Sequence, residues 1–211
     1  MASDFQSAVV CHERQKTPIL RHLFETKAGR RVIVFAASKL KVKELNRELR
    51  RAGYKSAEMH SDLEQDRRDE VMQDFRSARI DVLVATDILA RGIDIDDIAM
   101  VVNYDVPREA EDYVHRIGRT ARANAGGIAI TLVAGGKEQQ KFKQIERFLK
   151  KEILKNPLPE GMCETPSRSN PGNAKNNPGS KKRYGKPRNN HRKGAKDKPA
   201  KTSQQPAAER P

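Results

Sequence analysis

Six short runs of β-branched and other apolar residues, at 8–11, 32–35, 56–59, 80–85, 100–104 and 128–133, alternate with stretches whose apolar residues recur at helical spacing. Strand side chains repeat every two residues and helix side chains every 3.6 or so, so a chain that keeps switching period is restricted to α/β architectures. Val32, Ile33, Val34 and Phe35 are apolar at consecutive positions, the pattern of a strand covered on both faces, as in a parallel sheet flanked by helices. Helices are expected over 17–27, 39–51, 64–76, 109–117 and 137–151. In the second of these Leu40, Leu45 and Leu49 recur near helical spacing, and Gly53 stands where a left-handed terminating residue is wanted. The expected fold is a doubly wound parallel sheet with helices on both faces. Ligands of such sheets gather at the carboxyl ends of the strands.

The pattern stops near residue 155, which divides the chain into an expected domain over 1–155 and a tail over 156–211. In the tail Asn, Pro, Gly, Ser and Lys dominate and aromatic residues nearly vanish. Such a segment buries too little apolar surface to offset its ordering entropy, and disorder is expected. It holds 13 Lys and Arg against 4 Asp and Glu, which is +9 of the chain's +14. That charge points to a polyanion, nucleic acid before an anionic membrane, because the tail lacks an amphipathic face. A solubilising extension is the alternative. No apolar run is long enough to span a bilayer and the first residues lack a secretory pattern. Cys11 and Cys163 are far apart and suggest neither a disulfide framework nor a zinc site, so a cytoplasmic setting is expected and no metal ligand set is assigned.

The segments after the expected strands carry the candidate chemistry. Arg116, Arg119 and Arg122 are three apart around the end of a helix expected to stop near Gly118, so Arg119 and Arg122 could converge on one anion. Guanidinium grips phosphate bidentately, stays charged, and can stabilise a transferring phosphoryl group. Three arginines so spaced also describe a solvated basic face. Thr86 and Gly92, the latter allowing close backbone approach at Arg91-Gly92, could bind backbone phosphates, and Asp94 could accept from a ribose hydroxyl. Alternatively Asp87 caps a helix and Gly92 ends it. Gln65 and Arg68 share a face in the first turn of a helix, where amide dipoles favour phosphate, although an ordinary surface pair would look the same. Ser38 and Lys39 follow the 32–35 run, and a serine there is commonly just a cap.

Taken together and in order, these segments resemble the later motifs of the DEAD-box ATP-dependent RNA helicases of superfamily 2. Residues 32–35 resemble the motif IV strand, Gln65 and Arg68 the Q-x-x-R element, and Thr86 to Asp94 motif V. The run His115-Arg116-Ile117-Gly118-Arg119-Thr120-Ala121-Arg122 is similar to motif VI, usually H-R-I-G-R-T-G-R. The resemblance covers about residues 5–155 and implies a RecA-like second motor domain. It implies that Arg119 and Arg122 are arginine fingers on the γ-phosphate of ATP, that Asp94 contacts the ribose, and that His115 couples nucleotide to RNA across a cleft. Lys39, Gln65, Arg68, Thr86, Arg91 and Gly92 would lie along the RNA backbone. Ser61 and Ala121 stand where the family often has Gly, and neither removes an implied ligand.

The family's first domain carries a G-x-x-x-x-G-K-[ST] phosphate loop and a D-E-A-D motif for Mg2+ and water. Neither occurs in this chain, where the nearest candidate is Gly135-Gly136-Lys137 followed by Glu138. The implied activity is therefore shared: an RNA helicase half, inactive alone, whose partners are RNA and an amino-terminal RecA-like domain that brings Mg2+. A monomer without membrane attachment is expected. A non-catalytic RNA-binding module, or a regulator docking on another helicase, are the competing readings.

Overall fold

The structure is a computed structural model that describes residues 6–27, 31–87, 98–120 and 127–162. Seven strands are described: β1 (Gln6–Cys11), β2 (Val32–Phe35), β3 (Ser56–Met59), β4 (Val82–Ala85), β5 (Met100–Asn103), β6 (Ile128–Ala134) and β7 (Leu154–Asn156). Five helices accompany them: α1 (Lys16–Lys27), α2 (Lys39–Arg51), α3 (Gln65–Arg76), α4 (Ala110–Ile117) and α5 (Gly135–Leu149). All strand pairs are parallel, in the order β3-β4-β2-β5-β6-β1-β7. The expected doubly wound α/β sheet is observed.

Alternation along each strand sorts its side chains between two faces. Val32 and Val34 join Val82, Val84, Met100 and Val102 against α1 and α2. Ile33 and Phe35 join Leu83, Ala85 and Val101 against Val71 and Phe75 of α3. Farther along that second face, Ala8, Ala129 and Val133 meet Tyr113 and Ile117 of α4 and Phe142 and Ile145 of α5. The near-continuous apolar run of β2 is thus the signature of its central place.

Two local outcomes differ from the sequence reading. In α2 the core stripe is Val42, Leu45 and Leu49, whereas Leu40 is 66% exposed. Positions 42, 45 and 49 lie three and four apart and therefore on one face, from which Leu40 is turned away. The boundary expected at 155 falls inside β7, which pairs with Ser7 to Val9 of β1, and Leu158 and Met162 pack against the core beyond it. Gly53 takes the left-handed conformation expected of it, with φ +89°. Among the described residues no helix is long and apolar enough to cross a membrane.

Leu49 and Leu40 separate burial from propensity. Leu49→Ala is expected to cost about 2–5 kcal/mol in urea denaturation, and Leu40→Ala to stay within about 0.5 kcal/mol. Equal losses would contradict the placement of the α2 core face.

Candidate functional site

The chain leaves β2 toward β3 and β4 on one side and then returns to β5 on the other, which makes the β4-β2-β5 region the switch point of the sheet. Register brings the carboxyl ends level, with Phe35 beside Ala85 on β4 and beside Asn103 on β5. Residues following these three strands must therefore meet. Thr86 and Asp87 follow β4, and Tyr104 and Asp105 follow β5.

Arg116 of α4 occupies this junction. Its side chain is 3% exposed and grips Asp87 with two hydrogen bonds, Nε to Oδ1 at 2.5 Å and Nη2 to Oδ2 at 2.8 Å. Nη1 donates to Asn103 Oδ1 at 3.0 Å and to the Asp105 carbonyl at 2.9 Å. The guanidinium also lies 4.9 Å from the Phe35 ring centroid. A planar fork with several donors suits this role, and a lysine could not reproduce it. A solvated basic face does not describe Arg116, whose donors are satisfied inside the protein.

α4 ends at Ile117 and Gly118 follows as its cap, as the spacing predicted. The next turn is closed by Arg119 N–H to the Arg116 carbonyl at 3.2 Å and Thr120 N–H to the Ile117 carbonyl at 3.0 Å. A Cβ at Gly127 would come within 2.5 Å of Thr120 Cβ, so only glycine lets the start of β6 pass this turn. Arg119 is half-buried on that turn, and His115 is exposed on α4. Arg91, Gly92, Asp94 and Arg122 lie outside the described residues.

The other predicted side chains sit at the same edge. Lys39 opens α2 and pairs with Asp62 at 2.8 Å, an interaction Lys43 shares at 3.1 Å. Hydrogen bonds from these two lysines push the Asp62 carboxyl down to about 2. Gln65 is exposed at the start of α3 and donates to Asp69 at 3.0 Å, whereas Arg68 is half-buried with Nε donating to the Leu63 carbonyl at 2.9 Å. Thr86 is half-buried and its N–H donates to the Met59 carbonyl at 3.2 Å. Ser38 is a helix cap, accepting from Lys41 N–H.

Sequence reasoning missed the charges behind Arg116. Lys16 is fully buried, and its ammonium lies 2.9 Å from Asp105, 3.0 Å from Glu138 and 3.0 Å from Glu13. Lys41 pairs with Asp105 and with Glu13, at 2.7 Å each, and the Ala37 N–H donates to Asp105 Oδ2 at 2.8 Å. Oxygens of Glu13, Asp105 and Glu138 come within 4.8 Å of one another, a metal-like arrangement in which the Lys16 ammonium supplies the cation. Burial alone would lower the Lys16 pKa, but Asp105, Glu138 and Glu13 hold it above the ordinary lysine value. Burial would likewise raise Asp105, and Lys16, Lys41 and the Ala37 N–H hold it below the usual carboxylate value. A lysine opening a helix opposes the helix dipole, and that signal in α1 could have pointed to the cluster.

The fold and strand order define a doubly wound α/β domain of the RecA-like class. Residues 15–124 match the family described as helicase conserved C-terminal domain. The chain belongs to that family, and it carries the carboxy-terminal helicase domain of the DEAD-box RNA helicases. It is 43% identical over 148 residues to the ATP-dependent RNA helicase CshA of Listeria monocytogenes, covering 70% of this chain and 28% of that relative. Among solved structures it resembles the E. coli DEAD-box protein SrmB bound to regulator of ribonuclease activity A, with TM-score 0.69 and 34% identity over 77% of this chain and 96% of that one. It also resembles S. cerevisiae Dbp5 bound to RNA and ADP BeF3, with TM-score 0.69 and 32% identity over 74% of this chain and 42% of that one.

Asp105→Asn is expected to cost about 3–5 kcal/mol in denaturant unfolding at neutral pH, because Lys16 stays buried without its main counter-charge. A carboxyl held low in the folded state stabilises above its unfolded pKa and loses that contribution as pH falls through the folded value. The gap between variant and wild type should therefore narrow below about pH 4. A gap that is constant with pH would sink this account of the cluster.

Proposed function

We propose that this domain is the arginine-finger and RNA-binding half of an ATP-dependent RNA helicase. The other half is a RecA-like first domain, in the same chain or supplied separately, which brings the phosphate loop and Mg2+. Arg119 and Arg122 reach the γ-phosphate of ATP held on that first domain, and Asp94 meets its ribose. The RNA backbone runs along Lys39, Gln65, Arg68, Thr86, Arg91 and Gly92, with His115 between the two ligands. Guanidinium groups aimed at the transferring phosphoryl group stabilise the charge that spreads over its oxygens. Cleft closure would bring both sets of contacts into place, and hydrolysis would release them. Contacts to phosphate and sugar carry little base specificity.

One observation carries this reading. Arg116 ties the last turn of α4 to Asp87, so the turn bearing Arg119 is joined to the Thr86-Asp87 end of β4. A link of this kind would transmit nucleotide state to RNA grip. Dbp5, a structural relative, has been captured with both RNA and ADP BeF3. The CshA relatives are ATP-dependent RNA helicases, and this chain matches only about a third or less of their length.

The isolated chain is expected to show no RNA-stimulated ATPase activity, and fusion to a DEAD-box first domain should restore it. In that fusion Arg122→Ala should lower kcat by about 10³-fold or more while RNA affinity is retained. Parallel loss of RNA binding would instead make Arg122 an RNA ligand or a folding residue. Robust ATPase activity from the isolated chain would defeat the proposal.

The basic tail adds a sequence-tolerant RNA contact in this proposal. Deleting residues 163–211 should weaken RNA binding and flatten its dependence on salt. Titrations at several KCl concentrations check this, and unchanged affinity and slope would leave the tail a solubilising extension.

A further inference from the structure

The outer face of α2 carries a row of cations that, apart from Lys39 at its start, neither the core nor the site uses. Lys39, Lys43, Arg47 and the adjacent Arg50 and Arg51 recur once per turn, over about 17 Å of helix. Val42, Leu45, Asn46 and Leu49 of the same helix are buried. Between the row and edge strand β3 lies an open groove of about 710 Å³, walled by Lys43, Arg47, Arg50 and Arg51 with Glu44 and Asn46 among them and, across it, by Glu58.

Helix stability does not account for this row. Lys39 with Lys43, Lys43 with Arg47, and Arg47 with Arg51 are like-charge pairs at i,i+4, each of which opposes the helix. The helix dipole favours the cations of the last turn, but it disfavours Lys39 in the first. Asp62 pairs with both Lys39 and Lys43 and offsets one of their two charges. Arg47, Arg50 and Arg51 have no ion-pair partner among the described residues. The row begins at Lys39, at the carboxyl edge of the sheet, and α2 then runs back along the sheet toward the start of parallel β3.

We propose that this row binds the phosphate backbone of single-stranded RNA, extending the track of Lys39, Gln65 and Thr86 along α2 beyond the cleft. The proposal rests on the RNA reading of that track. A single-sign row with a regular repeat matches a polymer of regularly spaced charge, and a cationic groove that follows the backbone is how unpaired strands are held. Leu40, 66% exposed beside the row, offers an apolar contact for a base. An acidic protein segment has no such enforced periodicity.

The test uses the full chain and its Lys43→Gln/Arg47→Gln/Arg51→Gln variant, with circular dichroism to verify the fold. Fluorescent oligouridylates of about 6 and about 15 nucleotides, spanning the usual site sizes of single-strand binders, are titrated by anisotropy at several KCl concentrations. The variant should bind the longer strand about tenfold more weakly, and its log–log salt slope should fall by about 2, the loss expected for three phosphate contacts on a single strand. Binding of the shorter strand should be unchanged. Unchanged binding of the longer strand, or equal weakening on both lengths, overturns the proposal. So does displacement of the longer strand by polyglutamate as effectively as by unlabelled RNA of equal charge, which would assign the row to an acidic protein. Gln65→Ala, run alongside, should weaken both lengths. If Gln65→Ala is silent while the triple variant loses the longer strand, the track reading fails and the α2 site stands.

Discussion

The guanidinium of Arg116 holds the switch-point edge of the sheet together. A buried charge is costly unless it is paired and its donors are satisfied. Asp87 supplies the countercharge, and Asn103 and the Asp105 carbonyl take a further donor. One side chain on α4 thereby links the segments that follow β4 and β5. Those segments are distant in sequence and level in space only because β2, β4 and β5 share a register.

Asp105 joins this arrangement to a second one. Its carbonyl holds Arg116, and its carboxylate is held by Lys16, Lys41 and the Ala37 N–H. The starts of α1 and α2, the end of β5 and, through Glu138, the start of α5 are thus tied to the last turn of α4. Within this cluster Asp105 is the most deeply buried countercharge of Lys16, so its removal leaves the ammonium with only Glu13 and Glu138. Arg119 is carried on the turn that Arg116 anchors.

Much of the fold was legible in the sequence, for reasons that particular residues make plain. β2 is apolar at four consecutive positions because it is covered twice. Gly53 marks the end of α2 because the chain there needs a positive φ. β7 was not legible: Leu154–Asn156 is short, and its strand conformation comes from the free edge of β1 rather than from its own pattern. Leu40 read as core because its residue type is apolar, but the face that Val42, Leu45 and Leu49 share was decided by the sheet. In the site, the spacing of three left a solvated basic face open for Arg116. Only Asp87 and Asn103, brought in by other strands, drew it inward.

The sequence by itself determined the alternation of strands and helices up to β7, their approximate places, and the set of polar residues delivered to the carboxyl edge. Those are local properties, governed by side-chain period, capping and backbone freedom. Tertiary structure decided which of those polar residues face inward. Lys16, Asp105 and Arg116 became internal struts, while Lys39, Gln65 and His115 were left exposed, because burial of a charge depends on countercharges that arrive from distant parts of the chain.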